Sequence, residues 1–304
     1  MKGIIVKVTG KLYNVQDLNM RIITCQLRGK FRQKNIKSTN PIVVGDIVSM
    51  VQENGTWVIN QLYKRKNFIV RKSVKLSRQT HILAANIDQA VFIFTLKEPV
   101  TSLAFMDRFL AACESCSIPV LILLNKSDIY DEATTRKQKE IETLYTEIGY
   151  TCLKTSFLSH NSLDITHHLK GKTNVVAGHS GTGKSTLINS LQSHLQIPTN
   201  SISSSHKQGR HTTTFSEYYN LDFGGAIIDT PGIKGFGLVD IKEGDLDSCF
   251  KEIFELKNRC KFHNCLHMNE PECEIKEAVL DKRISQTRYS NYLSMLNDDT
   301  LYRL

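Results

Sequence analysis

Gly178-His179-Ser180-Gly181-Thr182-Gly183-Lys184-Ser185 fits the pattern G-x-x-x-x-G-K-[ST]. The β-branched run Thr173–Ala177 precedes it, and the spacing of Ser185–Leu195 predicts a helix behind it. Strand, glycine loop and helix in that order form the context a phosphate-cradling loop needs. Glycines let backbone N–H groups turn inward around phosphate oxygens, and the helix N-terminus adds its positive end. In this reading Lys184 reaches the β- and γ-phosphates and acts in catalysis, the Ser185 hydroxyl ligates Mg²⁺, and Thr186 completes the loop at the helix start. The plain alternative, a glycine-rich turn without a ligand, leaves the flanking strand and helix unexplained.

Upstream of this loop, Asn125-Lys126-Ser127-Asp128 directly follows the buried-strand pattern Val120–Leu124. The carboxyl end of such a strand is where α/β sheets bind ligands. A carboxylate there can accept two hydrogen bonds from guanine, through N1–H and the 2-amino group. Adenine offers neither, and a site built on such bonds rejects the wrong base by roughly 10⁴–10⁵-fold. Asp128 is the expected reader, Lys126 lays its alkyl stem on the ring, Asn125 ties the loop together and Ser127 completes it. Alone the tetrapeptide is a strand-ending turn as readily as a base site; a phosphate loop in the same domain decides for the base site.

Downstream, Asp229-Thr230-Pro231-Gly232 follows the apolar strand Gly225–Ile228. Asp229 is placed to hold Mg²⁺ through water, and the Gly232 N–H to contact the γ-phosphate. Between these motifs lies Gly209-Arg210-His211-Thr212-Thr213-Thr214. A threonine here completes the Mg²⁺ shell only while the γ-phosphate is present, which makes an order–disorder switch. Thr213 is favoured, with Thr212 as the alternative. Many GTPases place a water-orienting Gln just after the D-x-x-G glycine; here that position is Ile233. His211 is the candidate replacement, against the plainer readings that it contacts RNA or faces solvent.

The guanine loop therefore precedes the phosphate loop, the reverse of the ordinary order, and the second switch ends the domain. Strands and helices alternate from residue 86: Ala90–Phe94, a helix at Ser102–Cys113, Val120–Leu124, a helix at Thr134–Ile148, Thr151–Lys154 and a helix at Leu163–Leu169. That alternation predicts a parallel sheet covered on both faces. Ahead of it, Ile4–Thr9, Leu12–Gln16, Arg21–Leu27, Val48–Gln52 and Thr56–Asn60 read as short strands, with Asn54-Gly55 as a hairpin turn. Five such strands suggest a small barrel of the OB type, although periodicity alone does not separate it from an SH3-like one.

The chain has 304 residues, 40% hydrophobic and 23% charged, with a net charge of +9. Two or three domains are the natural prior. The charge is uneven: residues 1–80 carry 16 Lys/Arg against three acids, a net +13, and the other 224 residues carry −4. A basic module on a mildly acidic body points to a polyanion partner, nucleic acid above all. No apolar run approaches the ~20 residues of a membrane span, and Met1–Gly10 has no signal-peptide core. A cytoplasmic location and no membrane partner are expected.

Of eight cysteines, Cys260, Cys265 and Cys273 cluster with His267 in the spacing C-x₄-C-x-H-x₅-C. Three thiolates and one imidazole form a closed tetrahedral set suited to one structural Zn²⁺; free thiols or disulfides are the alternatives. Cys113-Glu114-Ser115-Cys116 has C-x-x-C spacing, but it ends a largely apolar helix rather than starting one, which argues against redox chemistry.

Taken together, the permuted motif order, the barrel, Gly209–Thr214, Asp229–Gly232 and the cysteine cluster closely resemble the RsgA (YjeQ) family of small-subunit ribosome biogenesis GTPases, over nearly the whole chain. The resemblance implies a GTP hydrolase that binds the small (30S) ribosomal subunit late in maturation, is stimulated by it, and holds rRNA through the barrel and the zinc domain. It also implies that Thr155-Ser156, where the family usually has Ser-Ala, contacts guanine through its backbone, and that His263 is not a zinc ligand. Thr182 stands where a small apolar residue is common.

The expected architecture is multidomain: an OB-type barrel at 1–65, a basic linker at 66–85, a circularly permuted α/β P-loop GTPase domain at 86–237, and a mainly helical zinc-binding domain at 238–304. GTP or GDP with Mg²⁺ and one Zn²⁺ are the expected cofactors, and a monomer the expected state. Two other readings stay open: a non-catalytic RNA-binding module that uses GTP as a structural ligand, and a permuted GTPase acting on another RNA.

Overall fold

A computed structural model describes residues 1–28, 41–72, 80–158, 163–192, 195, 197, 216–230, 241 and 243–297. His211, Thr212, Thr213, Gly232 and Ile233 lie outside the described residues.

Lys2–Thr9 (β1), Leu12–Asp17 (β2), Ile22–Leu27 (β3), Ile47–Glu53 (β4) and Thr56–Leu62 (β5) pair in the order β1-β2-β3-β5-β4, and β4 returns to β1. This closes the five-stranded OB-type barrel expected from the sequence. Alternation sends Ile5, Tyr13, Val15, Cys25, Val48, Met50 and Ile59 to one interior. Asn54 and Gly55 both take positive φ, +48° and +79°, as a tight Asn-Gly hairpin requires. Asp46 is fully buried at the barrel end, held by Arg65 through Nε and Nη2 at 2.7 Å each.

The stretch read as a linker holds two strands instead. Phe68–Lys72 (β6) and Thr80–Ala85 (β7) pair antiparallel from Phe68 opposite Ala85. The density of Lys and Arg around it masked the short run Phe68-Ile69-Val70. Ile69 and Ala84 are buried, and the Ala85 N–H donates to Val44 O of the barrel at 3.0 Å.

The central sheet is built from Gln89–Phe94 (β8), Val120–Leu124 (β9), Thr151–Lys154 (β10), Thr173–Ala177 (β11), Glu217–Asn220 (β12) and Ala226–Asp229 (β13), in the order β10-β9-β8-β11-β13-β12. All neighbours are parallel except β12, which runs against β13. Every residue of β8 and β9 is buried, as strands covered on both faces must be. Ala90, Phe92, Phe94, Ile122 and Leu124 face one core, and Val91, Ile93, Leu121 and Leu123 the other. Leu163–Leu169 (α3) and Lys184–Leu191 (α4) cover the second face with Ile165, Leu169, Leu187 and Ile188. Leu103–Ser115 (α1), capped by the Ser102 hydroxyl on Phe105 N, and Glu132–Glu147 (α2), capped by Asp131 on Thr134 N, cover the first.

Lys251–Leu256 (α5), Glu274–Leu280 (α6) and Gln286–Leu296 (α7) form the C-terminal segment. Its apolar side chains, Phe250, Ile253, Ile275 and Tyr292 among them, join the same core as Phe92 and Phe109. One buried cation pins this contact. Arg288, 1% exposed, donates from Nη1 to Asp107 Oδ1 at 2.6 Å and from Nε and Nη2 to Glu252 at 2.7 and 3.0 Å. Burial alone would lower the Arg288 pKa, but Asp107 and Glu252 carry it well above its ordinary value. A buried charge is tolerated only when matched in this way. Among the described residues no helix is long and apolar enough to cross a membrane.

Candidate nucleotide site and metal centre

Parallel register sets every motif at one edge of the sheet. Phe94 lies opposite Leu124, Leu124 opposite Lys154, Phe92 opposite Ala177, and Val176 opposite Asp229. The loops at 95–101, 125–130, 155–157 and 178–183 therefore leave the same side. Successive strands are added on one side of β8 as far as β10 and on the other side from β11 onward, and such a topological switch point is where α/β sheets bind ligands.

The two reversed motifs meet at Asn125. Its Nδ2 donates to Thr182 O, inside the glycine loop, at 2.8 Å. Its Oδ1 accepts from the Phe157 N–H and the Thr155 hydroxyl, each at 3.3 Å. Gly183, at φ +106°, sits so close that a Cβ would meet Asn125 Nδ2 at 2.7 Å and the Phe157 ring at 3.0 Å; only glycine permits that approach. Asn125 O accepts from the Tyr130 hydroxyl at 2.6 Å.

Lys126 takes a left-handed conformation, φ +66°, and its Nζ donates to Glu98 O. Ser127 bonds Thr155 O through both its N–H, at 3.2 Å, and its hydroxyl, at 3.1 Å. Asp128 Oδ1 accepts from the Ser156 hydroxyl at 2.6 Å. The Thr155-Ser156 substitution thus supplies a side-chain hydroxyl that steers the carboxylate, beyond the backbone contact the resemblance implies.

In the glycine loop, Gly178 stands at φ +147°, where a Cβ would meet Ile93 O and Thr182 Oγ1 at 2.8 Å. The Thr182 hydroxyl donates to His179 O at 2.9 Å and so staples the loop. Lys184 Nζ donates to Gly178 O at 2.8 Å and His179 O at 2.6 Å, which holds the ammonium within the loop's concave side. Gly181 is also at positive φ, +84°; Ser180 and Gly181 are exposed. Ser185 and Thr186 follow Lys184 in the first turn of α4. Asp229 ends β13 almost fully buried; burial raises its pKa, Lys184 draws it down and Glu217 pushes it up. A glycine-lined concavity holding one ammonium, with a buried carboxylate beside it, fits a Mg²⁺–nucleotide phosphate tail.

The metal centre is local. Cys260, Cys265, His267 and Cys273 place their ligand atoms within 4.8 Å of one another. Cys260 Sγ and Cys273 Sγ lie 3.6 and 3.5 Å from His267 Nδ1, and 4.0 Å from each other. Zinc–ligand lengths give tetrahedral edges of about 3.5 Å for S–N and about 3.8 Å for S–S, so the set fits Zn²⁺ with Nδ1 as the donor. Burial pushes the Cys265 thiol up to about 12, with Cys273 and Cys260 adding to it; a cation is what lets such thiols ionise together. Asp247 Oδ2 lies 3.8 Å from His267 Nε2, outside the ligand shell. Cys113 is fully buried, and burial raises both its thiol and that of Cys116, which suits inert core thiols.

Three contributors escaped the sequence reading: Tyr130, Phe157 and the Ser156 hydroxyl. None belongs to a fixed-spacing motif, and only proximity to Asn125-Lys126-Ser127-Asp128 or Thr155 could have flagged them.

The RsgA GTPase family model matches residues 62–239, and the RsgA N-terminal domain model residues 2–57. A small ribosomal subunit biogenesis GTPase RsgA of Bacteroides fragilis is 48% identical over 300 residues, covering 98% of this chain and 97% of the relative. One from Flavobacterium psychrophilum is 46% identical over 309 residues, covering 100% and 95%. Among solved structures, YjeQ from Thermotoga maritima superposes with a TM-score of 0.80 at 36% identity, covering 97% of this chain and 96% of that one. YloQ, described as a circularly permuted GTPase, gives 0.74 at 32%, covering 98% and 94%. With its permuted sheet, closed barrel and Cys₃His cluster, the chain belongs to the RsgA GTPases, hydrolases acting on GTP.

Proposed function

We propose that this chain binds the small ribosomal subunit in the cytoplasm, as a monomer, and assists its late maturation while hydrolysing GTP at a subunit-stimulated rate. The observation that carries the nucleotide half is the 2.8 Å bond from Asn125 Nδ2 to Thr182 O. It makes one pocket of a base loop and a phosphate loop joined in reverse order.

In that pocket Asp128, steered by Ser156, reads the guanine edge. Lys126 and Ser127 frame the base, and Thr155-Ser156 closes its far side. Residues 178–183 present N–H groups to the phosphates, Lys184 binds the β- and γ-oxygens, and Ser185, Thr186 and Asp229 serve the metal. Mg²⁺, when bound, offsets charge developing on the transferred phosphoryl group. Thr213 and Gly232 respond to the γ-phosphate, and His211 orients the attacking water in place of Ile233. Cys260, Cys265, His267 and Cys273 hold zinc, which fixes the C-terminal segment.

The ribosomal half rests on the relatives, small ribosomal subunit biogenesis GTPases by name, and on charge. Within residues 1–80 the three acids are all paired, Asp17 with Arg21, Asp46 with Arg65 and Glu53 with Arg28. Segments 29–40 and 73–79 carry Lys30, Arg32, Lys34, Lys37, Lys75 and Arg78 with no acid, which suits rRNA phosphates.

The test is GTP turnover against added purified small subunits, with large subunits as control. Stimulation by small subunits alone supports the reading. Equal stimulation by both would move the partner to another RNA, and no turnover under any condition would return the non-catalytic module. Turnover unchanged in His211→Ala, with and without subunits, would remove that residue from catalysis.

A further inference from the structure

Helix α1 touches the phosphate loop at one point and the C-terminal segment at another. Phe105, in its first turn, stacks on the imidazole of His179 with ring centroids 4.2 Å apart and planes 24° from parallel. Two residues on, Asp107 is fully buried. Its Oδ1 accepts from Arg288 Nη1 at 2.6 Å and from the Tyr145 hydroxyl at 2.5 Å, and its Oδ2 accepts from Asn291 Nδ2 at 2.6 Å. Arg288 is locked in turn by Glu252 and lies over the Phe250 ring at 4.5 Å. A single rigid turn of helix thus joins the imidazole of the glycine loop to the side chain that anchors α7.

Two features make this more than core packing. His179 also supplies the carbonyl that accepts from both Lys184 Nζ, at 2.6 Å, and the Thr182 hydroxyl, at 2.9 Å, so the ring that Phe105 seats belongs to the residue around which the loop is folded. The hydrogen-bond network is closed, although two carboxylates share one guanidinium: Asp107 has both oxygens occupied, and Arg288 donates from Nη1, Nε and Nη2. Such a cluster re-pairs as a unit rather than yielding one bond at a time.

We propose that Phe105 is a positioning residue for the phosphate loop, and that α1 couples this loop to the zinc-bearing segment through Asp107 and Arg288, separately from the connection at 231–240. The proposal rests on the reading of residues 178–185 as the phosphate loop. It gives any ligand that shifts α7 a direct means of changing nucleotide affinity, and, by reciprocity, gives nucleotide a means of shifting α7.

The experiment is a double-mutant cycle in the full, zinc-loaded chain, read by the Kd of ribose-labelled GDP, with the melting temperature and zinc content followed in parallel. An aromatic stack of this kind corresponds to roughly 2- to 10-fold in affinity. Phe105→Leu is expected to weaken GDP by that factor at nearly unchanged melting temperature, and Phe105→Tyr to restore it. Arg288→Lys, more than 180 positions away, is expected to weaken GDP as well. Added to Phe105→Leu, it should cause no further loss, since both act through one link. Glu252→Gln replaces it should Arg288→Lys fail to fold. Unchanged affinity in Phe105→Leu, failure of Phe105→Tyr to restore it, or a double variant whose loss is the product of the two single losses overturns the coupling. ATP binding by the unaltered chain would instead overturn the nucleotide reading itself.

Discussion

The proposed nucleotide pocket draws on four separated stretches, at 125–130, 155–157, 178–185 and 229, whereas the candidate metal centre takes all four of its potential ligands from the 14 residues Cys260 to Cys273. The first exists only once the parallel strands of the central sheet are in register, because the sheet edge is what gathers its loops. The second is one loop whose four donor side chains could gather around an ion, braced by the Tyr289 and Tyr292 hydroxyls of α7 on His267 O and Leu266 O. A pocket of the first kind inherits its stability from the fold; a centre of the second kind contributes stability to it. Damage to one should therefore leave the other largely standing, apart from what α1 transmits.

Removing zinc should produce the largest effect. Apparent binding free energies of structural zinc in small modules are about 10–16 kcal/mol near neutral pH. Chelation, or Cys265→Ala, is expected to release about one zinc per chain and to abolish hydrogen-exchange protection over 257–273, and RNA binding should fall with it. GDP affinity should drop by no more than about tenfold, the reach of the α1 link. Loss of GDP binding in step with zinc would break the comparison, since the pocket would then depend on the ion as well.

The opposite perturbation is Asp128→Asn. It removes the acceptor pair that guanine N1–H and the 2-amino group require, and discrimination of roughly 10⁴–10⁵-fold, about 5.5–7 kcal/mol, rests on such bonds. GTP and GDP binding should fall towards the level of ATP, with zinc content and melting temperature unchanged. Retained preference for GTP over ATP in this variant would mean that another group reads the base.

These two sites were also the most legible parts of the sequence, for the same physical reason. Phosphate cradling and zinc ligation demand particular residues at fixed spacing, so Gly178–Ser185 and Cys260–Cys273 announced themselves without any fold. Asn125 could be assigned to tying its own loop, but its bond to Thr182, 57 positions away, depends on the order of strands in the sheet. Buried runs such as Val120–Leu124 were readable because both faces are covered. Glu217–Asn220 was not: four residues give too little alternation, and all four are half-buried. The hairpin at 68–85 was hidden by its basic composition. Arg288 was the least predictable, since nothing in a polar helix marks which arginine finds Asp107 and Glu252 from far along the chain.

Asn125→Ala sharpens the comparison from inside the pocket. It removes a side chain that bonds the base loop, the loop at 155–157 and the phosphate loop together, and it leaves the buried Thr182 carbonyl without that partner. A lost bond of this kind costs about 1–3 kcal/mol. The expected result is a melting temperature lowered by a few degrees in the nucleotide-free chain and a weaker hold on GTP and GDP alike, with preference over ATP kept because Asp128 remains. A selective loss of guanine preference would instead assign Asn125 to reading rather than to joining.

The smallest effect concerns the seam between barrel and sheet. β1 meets β12 at a single register pair, Lys7 opposite Glu217, and the same two residues form an ion pair at 2.8 Å with side chains 42% and 29% exposed. Pairs this open contribute roughly 0–1 kcal/mol and are screened by salt. Glu217→Gln should therefore leave the melting temperature almost unchanged, with whatever difference there is vanishing in high salt. It also removes one carboxylate that raises the Asp229 pKa, which should make Asp229 easier to ionise and strengthen Mg²⁺-dependent nucleotide binding slightly. A drop in stability well beyond 1 kcal/mol would show that barrel and sheet unfold as one unit across this seam. The pocket would then inherit its stability from the barrel strands as well as from the six of the central sheet.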